Sequence, residues 1–227
     1  MSARRSVCFI DTNIIANWVL AEGGVLSLLV DKYELDREFE EIYRKRYSDS
    51  VDLVELILEN ALNGHKEFLI SNLSLQELFS AIRDELRSIV LFKKGYPISR
   101  WKDPRINPDF NEEEYHDVYK KVLESFDILF QGSSIQPIRD IQSFDEKEYW
   151  DVFSSILFLV KESQTQDVIL LTTSIFNKAD YFVTKDERLI KSTKKILKEN
   201  YNLQITSPKN AKRIFSREIR HHINTEP

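Results

Sequence analysis

The sequence predicts an α/β protein built on a mainly parallel sheet, and two observations predict it. Short β-like runs recur at Val7–Ile10, Glu67–Ser71, Tyr181–Thr184 and Leu203–Thr206, and the segments between them carry helical periodicity. Only 5 glycines and 6 prolines punctuate the 227 residues, so loops are few and helices many.

The first apolar run, Val-Cys-Phe-Ile, leads straight into Asp11, Thr12 and Asn13 and then into a helical pattern from Ile14 to Leu20. An acid at the end of a first strand sits where open α/β sheets place their ligand sites, and it is equally suited to capping the helix that follows. From Asp31 to Asn60 the pattern is helical with alternating charges, which suggests a solvated outer face. Beyond the second strand, Ser74–Lys93 reads as a helix, and Ser74-Leu-Gln-Glu77 at its head has the form of a capping box.

Lys94 to Asn111 breaks the helical pattern with three prolines and reads as a loop. Loops that long within a domain are usually functional or disordered. Arg100 and Trp101 within it have the chemistry to pair a phosphate and stack a base, while the plainer reading is a surface loop pinned by one buried Trp. Glu112–Phe130 and Asp145–Ser163 read as helical padding, Gln166–Phe176 and Asp186–Asn200 as helices on either side of the strand Tyr181–Thr184, and Leu203–Thr206 as a last strand.

Composition narrows the function classes. Hydrophobic residues make up 42% of the chain, enough for a substantial core. The single cysteine, Cys8, excludes an internal disulfide framework and a cysteine-rich zinc site and suits a reducing compartment. No run approaches the roughly 20 apolar residues of a membrane span, and Met-Ser-Ala-Arg-Arg does not open a signal peptide, so a soluble cytoplasmic protein is expected. The net charge of −5 hides an asymmetry: Lys185–His222 holds 11 Lys or Arg against 4 Asp or Glu, a local charge of +7, which leaves −12 elsewhere. A basic end on an acidic chain suits a phosphate-binding rim, and suits a lysine-rich solvated helix face as well.

Four acids stand at comparable junctions. Asp11 follows the first strand, Glu77 lies near the helix start after the second, Asp167 opens an apolar helix, and Asp186 follows the strand Tyr181–Thr184. Each has an ordinary role at a helix N-terminus: Asp167 complements a helix dipole, and Thr184-Lys-Asp-Glu187 can be read as another capping box. Jointly they say more, because right-handed crossovers bring strand carboxyl ends and helix amino ends to one sheet edge. Four carboxylates there would repel unless a cation lay among them, and oxygen-only ligands select Mg²⁺ or Mn²⁺. Asp180 precedes its strand and belongs to the opposite edge. His65, His116, His221 and His222 read as surface residues.

The blocks IDTNI, LSLQEL, QDVILLTTSI, ADYFVTKDERL and QITSP, in this order, closely resemble the PIN-domain family of ribonucleases, which includes the VapC-type toxins. The resemblance covers about 7–20, 68–82 and 164–212 and leaves about 30–65 and 95–150 unmatched. It implies a three-layer α/β/α sandwich and a metal-dependent endoribonuclease. Its metal-binding acids fall on Asp11, Glu77, Asp167 and Asp186, and its small polar site positions on Thr12, Asn13 and Thr184.

On this reading Asp11 and Asp186 are the principal ligands of Mg²⁺ or Mn²⁺, and Glu77 and Asp167 complete the shell or orient the attacking water. Lys185, Arg188, Lys191 and Lys194 are candidates for RNA phosphate contact, together with Arg100 and Trp101. The expected organisation is one domain over 1–215, with helical insertions at about 30–65 and 95–150, and a polar tail over 216–227. Two features depart from the compact toxin pattern: the greater length, and Thr172-Thr173 where a small residue is usual. Toxin members pair with an antitoxin and commonly form homodimers, so both partners are expectations here, alongside RNA processing or defence. The alternative is a non-catalytic PIN-like module that binds RNA or protein. A dehalogenase-like phosphatase would need a second Asp where this chain has Asn13.

Overall fold

Alternate residues of the first strand enter different cores: Val7 and Phe9 pack on one face of the sheet, Cys8 and Ile10 on the other. Burial on both faces is why this strand reads as an unbroken apolar run rather than an alternating one. The computed structural model describes residues 5–61, 66–101, 103, 105–106, 112–131, 135–138, 146–160 and 164–223. Among them the sheet has five parallel strands in the order β3-β2-β1-β4-β5: β1 Ser6–Ile10, β2 Lys66–Ser71, β3 Gln136–Ile138, β4 Tyr181–Val183 and β5 Gln204–Thr206.

Helices cover both faces, giving three layers. One core is built on α1 Thr12–Ala21, α2 Val25–Lys32, α3 Arg37–Ala61, α4 Asn72–Lys93, α5 Glu112–Phe130 and α9 Pro208–Ile223. The other is built on α6 Glu146–Leu159, α7 Thr165–Phe176 and α8 Glu187–Tyr201. No single helix among the described residues is long and apolar enough to cross a membrane.

Several elements differ from the sequence reading. β3 lies within the stretch expected to be helical padding: three residues with Pro137 at the centre are too few to show alternation, and Pro137 is tolerated because β3 is an edge strand. The helix over 31–60 is not merely a solvated face, since Tyr47, Leu53, Val54 and Ile57 are buried and α3 packs between α1 and α9. The stretch from 216, expected as a tail, is helical to Ile223 within α9. That helix is anchored by buried Phe215, whose ring meets Phe68 and Tyr181, and by Glu218, which pairs with Lys66 at 2.6 Å.

The expected loop after Lys93 contains a 3-10 turn, Ile98–Arg100, and is strapped to α4. Trp101 Nε1 donates to Tyr96 O at 2.9 Å and its ring sets edge-on against Phe92. Arg87 donates to the carbonyls of Asp103 and Ile106. Residues 102, 104 and 107–111 of that loop lie outside the described residues, as do 161–163 of the helix expected to reach Ser163, and His65.

Candidate active site at the β1–β4 edge

In a sheet ordered 3-2-1-4-5 the chain reverses direction of winding between β1 and β4, and the carboxyl ends of those two strands flank the crevice where such sheets hold ligands. Asp11 follows β1 and Thr184 follows β4. Their side chains meet across the crevice, with Thr184 Oγ1 donating to Asp11 Oδ2 at 2.6 Å. Asp11 Oδ2 also accepts from Asn13 Nδ2 at 2.7 Å, and Oδ1 accepts from the Thr12 amide at 2.7 Å, so Asp11 both caps α1 and faces the crevice. Asn13 Oδ1 in turn accepts from the Lys185 amide at 3.0 Å. The hydrogen bonds thus use both lone pairs of Oδ2 and one of Oδ1, which keeps one direction on Oδ1 for a further partner.

Glu77 does not form the expected capping box. Ser71 is the N-cap of α4 and its hydroxyl accepts from the Ser74 amide at 2.9 Å, which starts the helix earlier and places Glu77 beyond the first turn. Glu77 Oε2 instead accepts from Thr12 Oγ1 at 2.8 Å, reaching to the base of the crevice. The box expected on Thr184 is also replaced. Asp186 is the N-cap of α8, its Oδ1 accepting from the amides of Arg188 and Leu189, while Thr184 Oγ1 accepts from the Asp186 amide at 3.0 Å. Asp167 Oδ2 accepts from the Gln164 amide at 2.9 Å, closing the first turn of α7.

Electrostatics link the four acids. Burial pushes the Asp11 carboxyl up to about 6; the hydrogen bonds from Thr184 and Thr12 oppose the rise, and the charges of Asp167 and Glu77 add to it. Asp167 is also held above its ordinary range, by burial first and by Asp186, against the Gln164 amide and Arg188. Along this sheet edge, then, burial and neighbouring carboxylates together raise Asp11 and Asp167. Their oxygen-only chemistry suits a hard divalent ion, and such an ion would relieve the repulsion. Among the described residues, however, no three His, Cys, Asp or Glu side chains converge into a ready-made metal-binding group. Shared ligation would require side-chain rotations at Glu77, Asp167 or Asp186.

The basic candidates divide. Lys185 is half-buried beside the crevice, donating through Nζ to Arg46 O at 2.9 Å and lying over the Tyr47 ring, with its ammonium held below the usual range by burial and by Arg46. Arg188 Nε stands 3.9 Å from Asp186 Oδ1 with its side chain 85% exposed. Lys191 pairs with Glu187 one turn along α8, and Lys194 is exposed further along the same helix. Arg100 and Trp101 belong to the strap on α4 and do not join the acids.

Sequence reasoning missed Asn17, Arg46, Tyr47 and Glu85. Together with Asn13, Lys185 and the head of α8 they wall an open cleft of about 590 Å³. Tyr43, Arg46 and Tyr47 share one side of α3 at helical spacing, the only local signal, and nothing local pairs Arg46 with Glu85, 39 residues away. Asp180 lies at the amino end of β4, where its carboxylate accepts from the Val7 amide at 2.9 Å, so it splices strands at the opposite edge. Comparison with protein-family models, curated proteins and solved structures finds no match to this chain.

Proposed function

We propose that this chain is a divalent-metal-dependent endoribonuclease of PIN-like architecture, acting at the β1–β4 crevice. One observation carries the reading: Asp11, at the switch point of a parallel sheet, is held by Thr184, Asn13 and Thr12, and its pKa is raised by its burial and, to a lesser degree, by two more acids of the same edge. The resemblance of the sequence blocks around these acids to PIN-domain ribonucleases supports it.

Asp11, Asp186, Glu77 and Asp167 would hold Mg²⁺ or Mn²⁺, which supplies a water of lowered pKa and neutralises charge developing on a phosphodiester. The chain's own residues do the positioning. Thr184 and Asn13 fix the Asp11 carboxylate, and Asn13 also holds the Lys185 amide, which sets the start of the segment carrying Arg188. Thr12 orients Glu77. Exposed Arg188, beside the acids, is the cation best placed to receive a substrate phosphate.

The test is manganese-dependent cleavage of RNA by wild type and by Asp11→Asn. Cleavage is expected from wild type and none from the variant at unchanged secondary structure; equal cleavage by both sinks the assignment. The second reading, a non-catalytic module that binds RNA or protein, is favoured by the absence of a converged carboxylate group among the described residues. Calorimetric titration with Mn²⁺ separates the two, because a module of that kind takes up no metal at millimolar concentration.

A further inference from the structure

The cleft beside the acids continues past them. Its far wall is the ion pair of Arg46 with Glu85, Nη1 to Oε1 at 3.4 Å, and the same two residues form the near wall of a second cleft of about 810 Å³. The opposite wall of that second cleft is the strap, with Ile98, Ser99 and Trp101, and Asp84, Arg87 and Ser88 of α4 complete it; the Asp84 carboxylate is paired with Arg83. A cleft of this size accommodates a ligand as large as an unstacked nucleotide.

Its chemistry is specific. The Arg46 guanidinium lies 5.8 Å from the ring centres of both Tyr43 and Tyr47, so its position is set by aromatic contact, while its side chain remains 59% exposed. Its contact with Glu85 is long for a hydrogen bond, and a guanidinium has five N–H donors, so Arg46 has donors to offer a phosphate. Across the cleft Ile98 is 76% exposed, an apolar side chain held into water by a turn that Trp101 fixes through Tyr96 O and Phe92. A cation on one wall and an apolar and aromatic surface on the other is how proteins take hold of a single strand, by its phosphate and by the face of an unstacked base. A duplex keeps its base faces stacked inside the helix and has none to offer.

We infer that the second cleft is a subsite for the nucleotide neighbouring the cleaved bond, with its phosphate on Arg46 and its unstacked base against Ile98 and Trp101. The inference rests on the nuclease reading, and it gives a role in recognition to α3 and the strap, the two stretches outside the resemblance. Glu85 competes with the phosphate for Arg46, so it lowers affinity and discriminates against weakly held strands.

The experiment is fluorescence anisotropy of a labelled ten-nucleotide RNA, as single strand and as duplex, with Ca²⁺ in place of Mg²⁺. Wild type is expected to bind the single strand about tenfold more tightly than the duplex. Arg46→Gln and Ile98→Ala should each weaken the single-strand complex about tenfold, within the range for losing a phosphate contact or a stacking wall. Arg46→Gln should lower the salt slope by about 0.7, and Glu85→Gln should tighten binding about threefold.

Photo-crosslinking of 4-thiouridine RNA to the wild-type protein tests the same contact without substitution, and the peptide containing Ile98–Trp101 is the expected adduct. Unchanged affinity in Arg46→Gln and Ile98→Ala, or equal binding of duplex, overturns the inference; so does a crosslink map that omits the strap. Because cleavage by wild type and Asp11→Asn is measured separately, loss of the nuclease reading is told apart from loss of this one.

Discussion

Thr12 and Glu77, 65 residues apart, are joined side chain to side chain, the threonine hydroxyl donating to Oε2 at 2.8 Å. The bond ties the first turn of α1 to α4 at the sheet edge beside Asp11, and it orients a carboxylate that neither helix needs for capping.

Untying that bond tests whether Glu77 serves the site. In Thr12→Val, Mn²⁺ affinity by calorimetry should fall about tenfold, the lower end of what loss of an orienting partner costs a metal site. Stability should fall by only about 1 kcal/mol, the worth of one hydrogen bond. Thr12→Ser, which keeps the hydroxyl, should bind metal like wild type. Unchanged affinity in Thr12→Val removes Glu77 from the ligand set.

The raised pKa of Asp11 predicts a pH signature in metal-free protein. A carboxyl at 3.8 unfolded and about 6 folded holds its proton more tightly in the folded state, so its contribution to stability is full below the unfolded value and is lost as pH rises through the folded one. About two pH units correspond to ~3 kcal/mol. The stability of Asp11→Asn relative to wild type, from urea unfolding, should therefore rise by ~3 kcal/mol between about pH 4 and about pH 7. A pH-independent difference would mean that the carboxyl is not desolvated.

The last helix should matter as a core element. Phe215 is buried against Phe68 and Tyr181, so Phe215→Ala should cost about 3–5 kcal/mol in urea unfolding. Glu218→Ala leaves Lys66, whose side chain is 10% exposed, without its carboxylate and should cost about 1–3 kcal/mol. A loose tail would predict no cost for Glu218→Ala.

Gly23, two residues past the end of α1, lies against Ser125 of α5. A Cβ there would collide with Ser125 Oγ and sit 2.5 Å from the Val19 carbonyl oxygen. Gly23→Ala should lower stability by about 1–3 kcal/mol, the usual cost of overpacking. Adding Ser125→Gly should restore only part of it, because the backbone oxygen of Val19 remains. Full restoration would mean that the Ser125 hydroxyl was the whole obstacle.

Much of the frame was legible in the chain. β1, β2, β4 and β5 lie where the apolar runs are, and α4, α5, α7 and α8 begin and end within two residues of the periodic segments. Burial on both faces demands local apolar composition, and helix faces impose a local period, so both leave marks in sequence. β3 left none. Its three residues are strand only because β2 presents unpaired backbone beside them, and that pairing is remote in the chain.

The sequence by itself determined that Asp11, Asp167 and Asp186 stand at helix starts, because strand ends and caps are written in adjacent residues. Only the tertiary structure decided what each acid does there. Ser71 rather than Ser74 caps α4, which frees Glu77 to meet Thr12, and Thr184 spends its hydroxyl on Asp11 instead of on a capping box. The last two of those bonds depend on which donors a neighbouring element brings within about 3 Å of an oxygen. The partnership of Arg46 with Glu85 is of the same kind, a contact between faces of two helices whose relative placement the core, not the local sequence, decides.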